Sequence, residues 1–194
     1  MSRAAAMEVL AALMAVTDPH GGSGLTRNER EARFMFGVLL VPGRRPLAAA
    51  SGTSMPASMM AAVGLLPGFD LAGAVIHPVR GRGGALLDPG VIGRCKVTNE
   101  PLACAAPKLV DHANRNAYAM PYHMSELWFD PNASRRNLRR APVFEREFQA
   151  GNINSFSDWL ALRRTARVWT EHSDTRESCD TCKNVLPMLL CNAP

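Results

Sequence analysis

Apolar positions along this chain gather into dense blocks separated by stretches rich in glycine and proline, and the form of each block predicts an element. Residues 3–16 (Arg-Ala-Ala-Ala-Met-Glu-Val-Leu-Ala-Ala-Leu-Met-Ala-Val) are strong helix formers, and Pro19, Gly21 and Gly22 end them in a loop, which predicts a first helix. Residues 34–41 are a continuous apolar run. Pro42-Gly43-Arg44-Arg45-Pro46 and a second run, Leu47 to Ala50, follow it, the pattern of a buried strand, a turn and a returning strand. From Ser54 to Leu66 a cap residue, a proline in the first turn and an apolar stripe predict a helix that Pro67-Gly68 stops. A short strand is expected within 72–79, and the glycine-rich stretch 80–96 predicts no definite element.

Pro107 is tolerated only in a first helical turn, so a helix is expected to begin near Cys104 and run to about Met120. Residues 121–158 mix aromatic and polar residues with turn formers and read as an elaborated loop with short helices. Ser157 to Arg164 reads as helix, Ala166 to Thr170 as strand, and Cys179 to Leu190 as a final helix. The 194 residues fit one domain, with residues 1–30 as an N-terminal helical extension and 31–194 as its core.

Composition adds mainly exclusions. With 47% hydrophobic and 20% charged residues the chain is neither disordered nor collagenous. No apolar run approaches the roughly 20 residues that span a bilayer, and Glu8 interrupts the apolar stretch that a signal peptide would need. A soluble protein with no membrane partner is expected. The net charge of +5 is uneven, with arginines clustered at Arg135, Arg136, Arg139 and Arg140 and again at Arg163, Arg164 and Arg167. Such clusters suit phosphate or acidic surfaces, although arginines on solvated helix faces produce the same pattern.

The five cysteines, Cys95, Cys104, Cys179, Cys182 and Cys191, are odd in number and irregular in spacing, which turns attention from disulfides to metal. Cys179-Asp-Thr-Cys182 opens the last helix, and two thiols three positions apart on a first turn point toward one external point, where a tetrahedral zinc can bind both. The same spacing also serves redox pairs and zinc fingers. A thioredoxin-like pair would follow an early buried strand, and a finger would need a second close pair, which is absent. Cys104 is the third candidate ligand because it too begins a helix, where the macrodipole favours a thiolate. Three protein ligands leave a position open for water.

The hairpin at Gly37 to Ser51, then Cys104-Ala-Ala-Pro-Lys-Leu, then Ser178-Cys-Asp-Thr-Cys-Lys-Asn-Val-Leu-Pro resemble the zinc-dependent nucleobase deaminases, and most closely the YwqJ-like branch associated with bacterial polymorphic toxins. In that superfamily the first motif is His or Cys, any residue, Glu, and the second is Cys-x-x-Cys, each at a helix start. The resemblance implies an α/β fold, a cytidine-deaminase-like α/β/α sandwich with a small mixed central sheet and helix-borne zinc ligands. It implies Zn2+ as cofactor, held by Cys104, Cys179 and Cys182. It departs from the family at Ala106, which stands where the family has its general acid/base glutamate. Alanine cannot move a proton, so the resemblance implies a deliberate exchange of that glutamate for alanine that renders a toxic enzyme harmless, with a natural pseudoenzyme as the lesser alternative; in either case the chain is expected to bind zinc with little or no chemistry, and a form with glutamate at 106 to deaminate. Only 12 residues follow Cys182, which implies a sheet either shortened or completed from the N-terminal or middle segment.

The activity implied is hydrolytic deamination of cytosine in nucleic acid, with single-stranded DNA as the partner and substrate that best suits the arginines Arg135, Arg136, Arg139 and Arg140 on a phosphate backbone. The toxin-like branch further implies an immunity protein as partner and a site of action in a target cell's cytoplasm. Deamination of adenine or of a free nucleoside or nucleotide is the alternative within enzymes, and a noncatalytic zinc-binding module the alternative outside them. Tyr118, His123, Trp128, Asn114 and Asn116 are candidate substrate contacts, since they follow the first ligand motif and offer aromatic walls or base-edge partners, while for each a core or turn role competes. His123-Met-Ser-Glu126 resembles the missing His-x-Glu motif but is one residue too long, and His172 is a substitute ligand only if Cys104 is not one. Cys95 and Cys191 read as small buried residues.

Overall fold

The computed structural model describes residues 2–87, 102–131 and 180–190. Its centre is Phe34–Leu40 (β1), which has a strand on either side and helices over both faces and is correspondingly apolar throughout. Leu47–Ala50 (β2) returns antiparallel to β1 through a turn in which the Arg44 N–H donates to the Val41 carbonyl at 3.1 Å. Gly43 takes φ 71° there, a left-handed conformation that glycine adopts without strain, with Pro42 before it. The two-residue strand Asp70–Leu71 (β3) lies parallel to β2, and His123–Phe129 (β4) lies antiparallel to β1 on its other side, giving a four-stranded mixed sheet in the order β3-β2-β1-β4.

Pleating sorts the sheet's side chains onto two covered faces. Phe34, Phe36, Val38, Ala48, Ala50, Leu127 and Phe129 meet helices Ser2–Val16 (α1) and Ala57–Gly64 (α3), with the rings of Phe34 and Phe129 5.3 Å apart. Leu39, Leu47, Ala49 and Met124 meet Ala105–Arg115 (α4), through Ala105, Leu109 and Ala113. Asp180–Leu190 (α5) packs on the side of α4 through Val185 and Leu189. The short helix Arg27–Glu31 (α2) is held by a capping box between Thr26 and Glu29. The protein is therefore mixed α/β, with helices on both sheet faces. Among the described residues no helix is long and apolar enough to cross a membrane.

Several expectations change on contact with the fold. The segment read as an N-terminal extension supplies eight buried residues to the core, Val9 and Leu13 among them with no exposure, and burial of such a side chain contributes about 1.5–3 kcal/mol. It is a covering layer of the sheet. The strand expected within 72–79 lies earlier, at 70–71, because the Asp70 and Ala72 N–H groups donate to the Pro46 and Ala48 carbonyls at the edge of β2. The helix expected to reach Met120 ends at Arg115, where the Asn116 N–H and side-chain amide both turn back to the His112 carbonyl and Ala117 takes φ 51°. The helix expected over Ser54 to Leu66 spans Ala57–Gly64. Within the stretch read as loop, residues 123–129 form β4, so strands from the middle of the chain extend the hairpin on both sides. The helix expected at 157–164 and the strand at 166–170 lie outside the described residues.

Candidate functional site

The site grows from the start of α4. The chain reaches it through Leu102, buried at φ 65°, an uncommon conformation for a residue with a branched side chain. The Ala103 carbonyl then accepts from the Gly52 N–H at 2.8 Å, tying this entry to the chain just beyond β2. Cys104 is the N-cap, extended at φ −71° and ψ 155°, with its side chain half-buried. One turn later Lys108, 3% exposed, sends its Nζ back to the Ala50 and Gly52 carbonyls at 2.7 Å each. Burial lowers the Lys108 pKa, and the nearby Cys104 works against that shift. A buried ammonium thus clamps the helix start to the end of β2 and puts positive charge beside the Cys104 sulfur.

The helix α5 packs beside α4. Asn114, near the end of α4, donates from Nδ2 to the Leu189 carbonyl, near the end of α5, at 2.7 Å. One turn back on each helix, Val110 and Val185 lie in one apolar cluster with Leu189 and Leu102. Cys182, 3% exposed, sits in the first turn of α5, as Cys104 sits at the start of α4. Among the described residues no three His, Cys, Asp or Glu side chains cluster as metal ligands. Cys179, the third predicted ligand, lies outside them.

A carboxyl group meets this helix start from the sheet. In register, Glu126 of β4 stands opposite Gly37 of β1, on the face that α4 covers. Its Oε1 accepts a hydrogen bond from the Ala106 N–H at 3.1 Å, so the carboxyl lies at the backbone of the very residue where the motif lacks its glutamate. Ala106 itself is fully buried. Gly37 makes the approach possible: a Cβ there would stand 2.9 Å from Leu109 Cδ1, 3.2 Å from Glu126 Cγ and 3.5 Å from Ala105 Cβ. Burial pushes the Glu126 pKa up, and the Ala106 N–H only partly offsets it.

The predicted substrate contacts divide between two ends of α4. Trp128, half-buried, follows Glu126 by one pleat on the same face and lies opposite the half-buried Met35, on the side of Glu126 away from Met124 and the body of α4. His123 falls on the other face, opposite Leu40. Asn114 joins the helix ends and is also the acceptor of a 3.4 Å bond from the Tyr122 hydroxyl, ten residues or roughly 15 Å along the helix from Cys104. Asn116 caps α4, and Tyr118 lies against Arg44 and His112 at that same far end. The structure thus places Cys104 and Ala106 at one end of α4, with Trp128 on the sheet beyond Glu126, and leaves Asn114, Asn116 and Tyr118 at the other end. Arg135, Arg136, Arg139, Arg140, Cys95, Cys191 and His172 lie outside the described residues.

Sequence reasoning passed over Lys108 and Gly37 and weighed Glu126 only as part of a mis-spaced motif. The apolar alternation of Leu127 and Phe129 was the available signal for β4, and the Cys104–Lys108 spacing of one helical turn the signal for the clamp. Comparisons with models of protein families, with curated proteins and with solved structures find no match to this chain.

Proposed function

We propose that the chain is a zinc-dependent hydrolytic deaminase of nucleobases, acting on cytosine in nucleic acid and specifically in single-stranded DNA. The observation that carries this reading is the packing of α5 on α4 with their C-terminal ends joined by the Asn114–Leu189 hydrogen bond, from which we infer that Cys104 and Cys182, each at the start of its helix, fall at the same end of the pair. That donor set fits zinc: both sulfurs are soft ligands, and Lys108 adds positive charge next to Cys104. Cys179, one residue ahead of α5 in sequence, is the third ligand in this reading. When bound, zinc supplies Lewis-acid activation of water.

The chain's own residues supply the rest. Met35 and Trp128 offer an apolar wall beyond the helix start against which a flat base can lie. The arginines at 135, 136, 139 and 140 are assigned to the phosphate backbone. Ala106 carries no proton, so turnover requires a carboxyl group from elsewhere in the protein.

The test is metal content together with deamination. One zinc per chain is expected, falling when Cys104 or Cys182 is changed to serine, along with conversion of cytosine in single-stranded DNA by the chain itself or by its Ala106→Glu variant. Duplex DNA, RNA and free nucleosides are assayed in parallel to assign the substrate. A chain that holds zinc while both forms are inactive on every base is a noncatalytic zinc-binding module, and one that holds no zinc overturns the reading.

A further inference from the structure

We propose that Glu126 is the acid–base group of this site, reaching the reaction centre from β4 in place of a side chain at position 106, so that the chain as it stands is a working deaminase. This rests on the deaminase reading above. The motif on α4 places alanine at the second residue of the helix, and the backbone N–H of that alanine is the group to which the Glu126 carboxyl is hydrogen-bonded. A carboxylate delivered from the neighbouring strand therefore stands within one hydrogen bond of the position the family's motif would fill.

Three features of the surroundings support a built arrangement. Gly37, directly across from Glu126, has no side chain to block it, and even a methyl group there would crowd the Glu126 stem. Ala106 has no exposure, so a larger side chain at that position would have to share the space the Glu126 carboxyl now borders. The Glu126 carboxyl, half-buried, is held by a neutral backbone N–H, and burial keeps its pKa above the ordinary carboxylate value.

The chemistry balances with water alone. The Glu126 carboxylate takes a proton from water as the water oxygen bonds to the ring carbon that bears the amine, and it delivers that proton to the adjacent ring nitrogen. It then carries the proton of the added hydroxyl to the amine. The carbon–nitrogen bond breaks with its electron pair on nitrogen, ammonia leaves, and the ring carbon becomes a carbonyl. One water is consumed, one ammonia is released, and nothing is oxidised or reduced.

The competing role for Glu126 is that of a helix cap, and glutamine separates the two because its amide oxygen still accepts the Ala106 N–H while it cannot carry a proton. Four zinc-loaded proteins are compared: the parent, Glu126→Gln, Ala106→Glu, and the double variant. The substrate is a single-stranded oligonucleotide containing cytosine. Zinc content and the pH midpoint of the visible spectrum of the cobalt(II)-loaded proteins are read alongside. The parent is expected to deaminate, and Glu126→Gln to lose about 100- to 10,000-fold, the usual effect of removing a general acid–base group. Zinc per chain should remain unchanged, the cobalt midpoint should move, and the double variant should recover activity. A parent that is inactive while Ala106→Glu is active overturns the inference and leaves the deaminase reading standing, as does an active parent that Glu126→Gln changes by less than threefold. Loss of zinc in Glu126→Gln would make Glu126 a ligand and also overturn it. If all four proteins hold zinc and none deaminates, the deaminase reading itself falls and takes the inference with it. Should the glutamine variant fail to fold, Glu126→Asp, which draws the carboxyl back by one methylene, is read by the same criteria.

Discussion

Replacing Gly37 with alanine tests whether close approach of α4 to β1 is what assembles the site. The added methyl would stand 2.9 Å from Leu109 Cδ1 and 3.2 Å from Glu126 Cγ, both nearer than ordinary carbon–carbon contact. Leu109 is fully buried, so relieving the contact requires its packed side chain, the helix or the strand to shift. Overpacking of this kind costs about 1–3 kcal/mol, while alanine regains about 0.5–1 kcal/mol over glycine inside a strand. The net expectation is a loss of roughly 1 kcal/mol, which with a urea slope of about 2 kcal/mol/M lowers the midpoint by about 0.5 M. The source of the loss is identified by a double-mutant cycle in urea with Leu109→Ala. That change alone costs about 2–5 kcal/mol by opening a cavity, and the Gly37→Ala methyl would partly fill the same space. The double variant should therefore be more stable than the sum of the two singles by about 1 kcal/mol. Additivity of the two changes, or a Gly37→Ala protein as stable as the parent, would refute the reasoning.

Lys108→Met removes both 2.7 Å hydrogen bonds from the Ala50 and Gly52 carbonyls and should cost about 2–4 kcal/mol in urea denaturation, with a loss below 0.5 kcal/mol contradicting the clamp. Asn114→Ala deletes the bond to the Leu189 carbonyl; a loss of about 1 kcal/mol and faster amide exchange in α5 are expected, and unchanged exchange there would mean that this bond does not hold the two helices in step. In the metal-free protein Glu126 has its pKa raised above the ordinary 4.5 by burial, so the folded state holds its proton more tightly than the unfolded chain does. Its stabilising effect is complete below the unfolded value and is lost as pH rises through the folded one. Glu126→Gln should thus gain stability over the parent as pH rises through that window, and a stability difference that stays constant with pH would count against the buried carboxyl.

The elements that depend on local pattern were legible in the sequence. The helix-forming run near the N-terminus, the hairpin with Pro42-Gly43 at its turn and the helix that contains Cys182 all lie where periodicity and turn chemistry put them, because propensity and burial agree along each segment. Cys104 at a helix start was legible too, since Pro107 confines the first turn. The ends of elements were less so: α4 stops at Arg115 because a backbone turn at Asn116 and Ala117 outweighs the helix-compatible residues beyond it.

Tertiary structure decided what those elements meet. His123 to Phe129 carries serine and glutamate in its middle and reads as loop, yet it becomes a strand because β1 offers it a full ladder and α1 covers Leu127 and Phe129. That pairing alone turns Glu126 under the start of α4, and a register shift of one residue would turn it to the opposite face. The packing of α5 on α4, the return of Lys108 to the end of β2, and the separation of Asn114 and Tyr118 from Cys104 likewise arise from contacts between residues far apart in sequence. A single sequence records which residues favour a helix or a strand. Which of them become neighbours is set by the packing of whole layers, and so only the folded chain could put a carboxyl group beside Ala106.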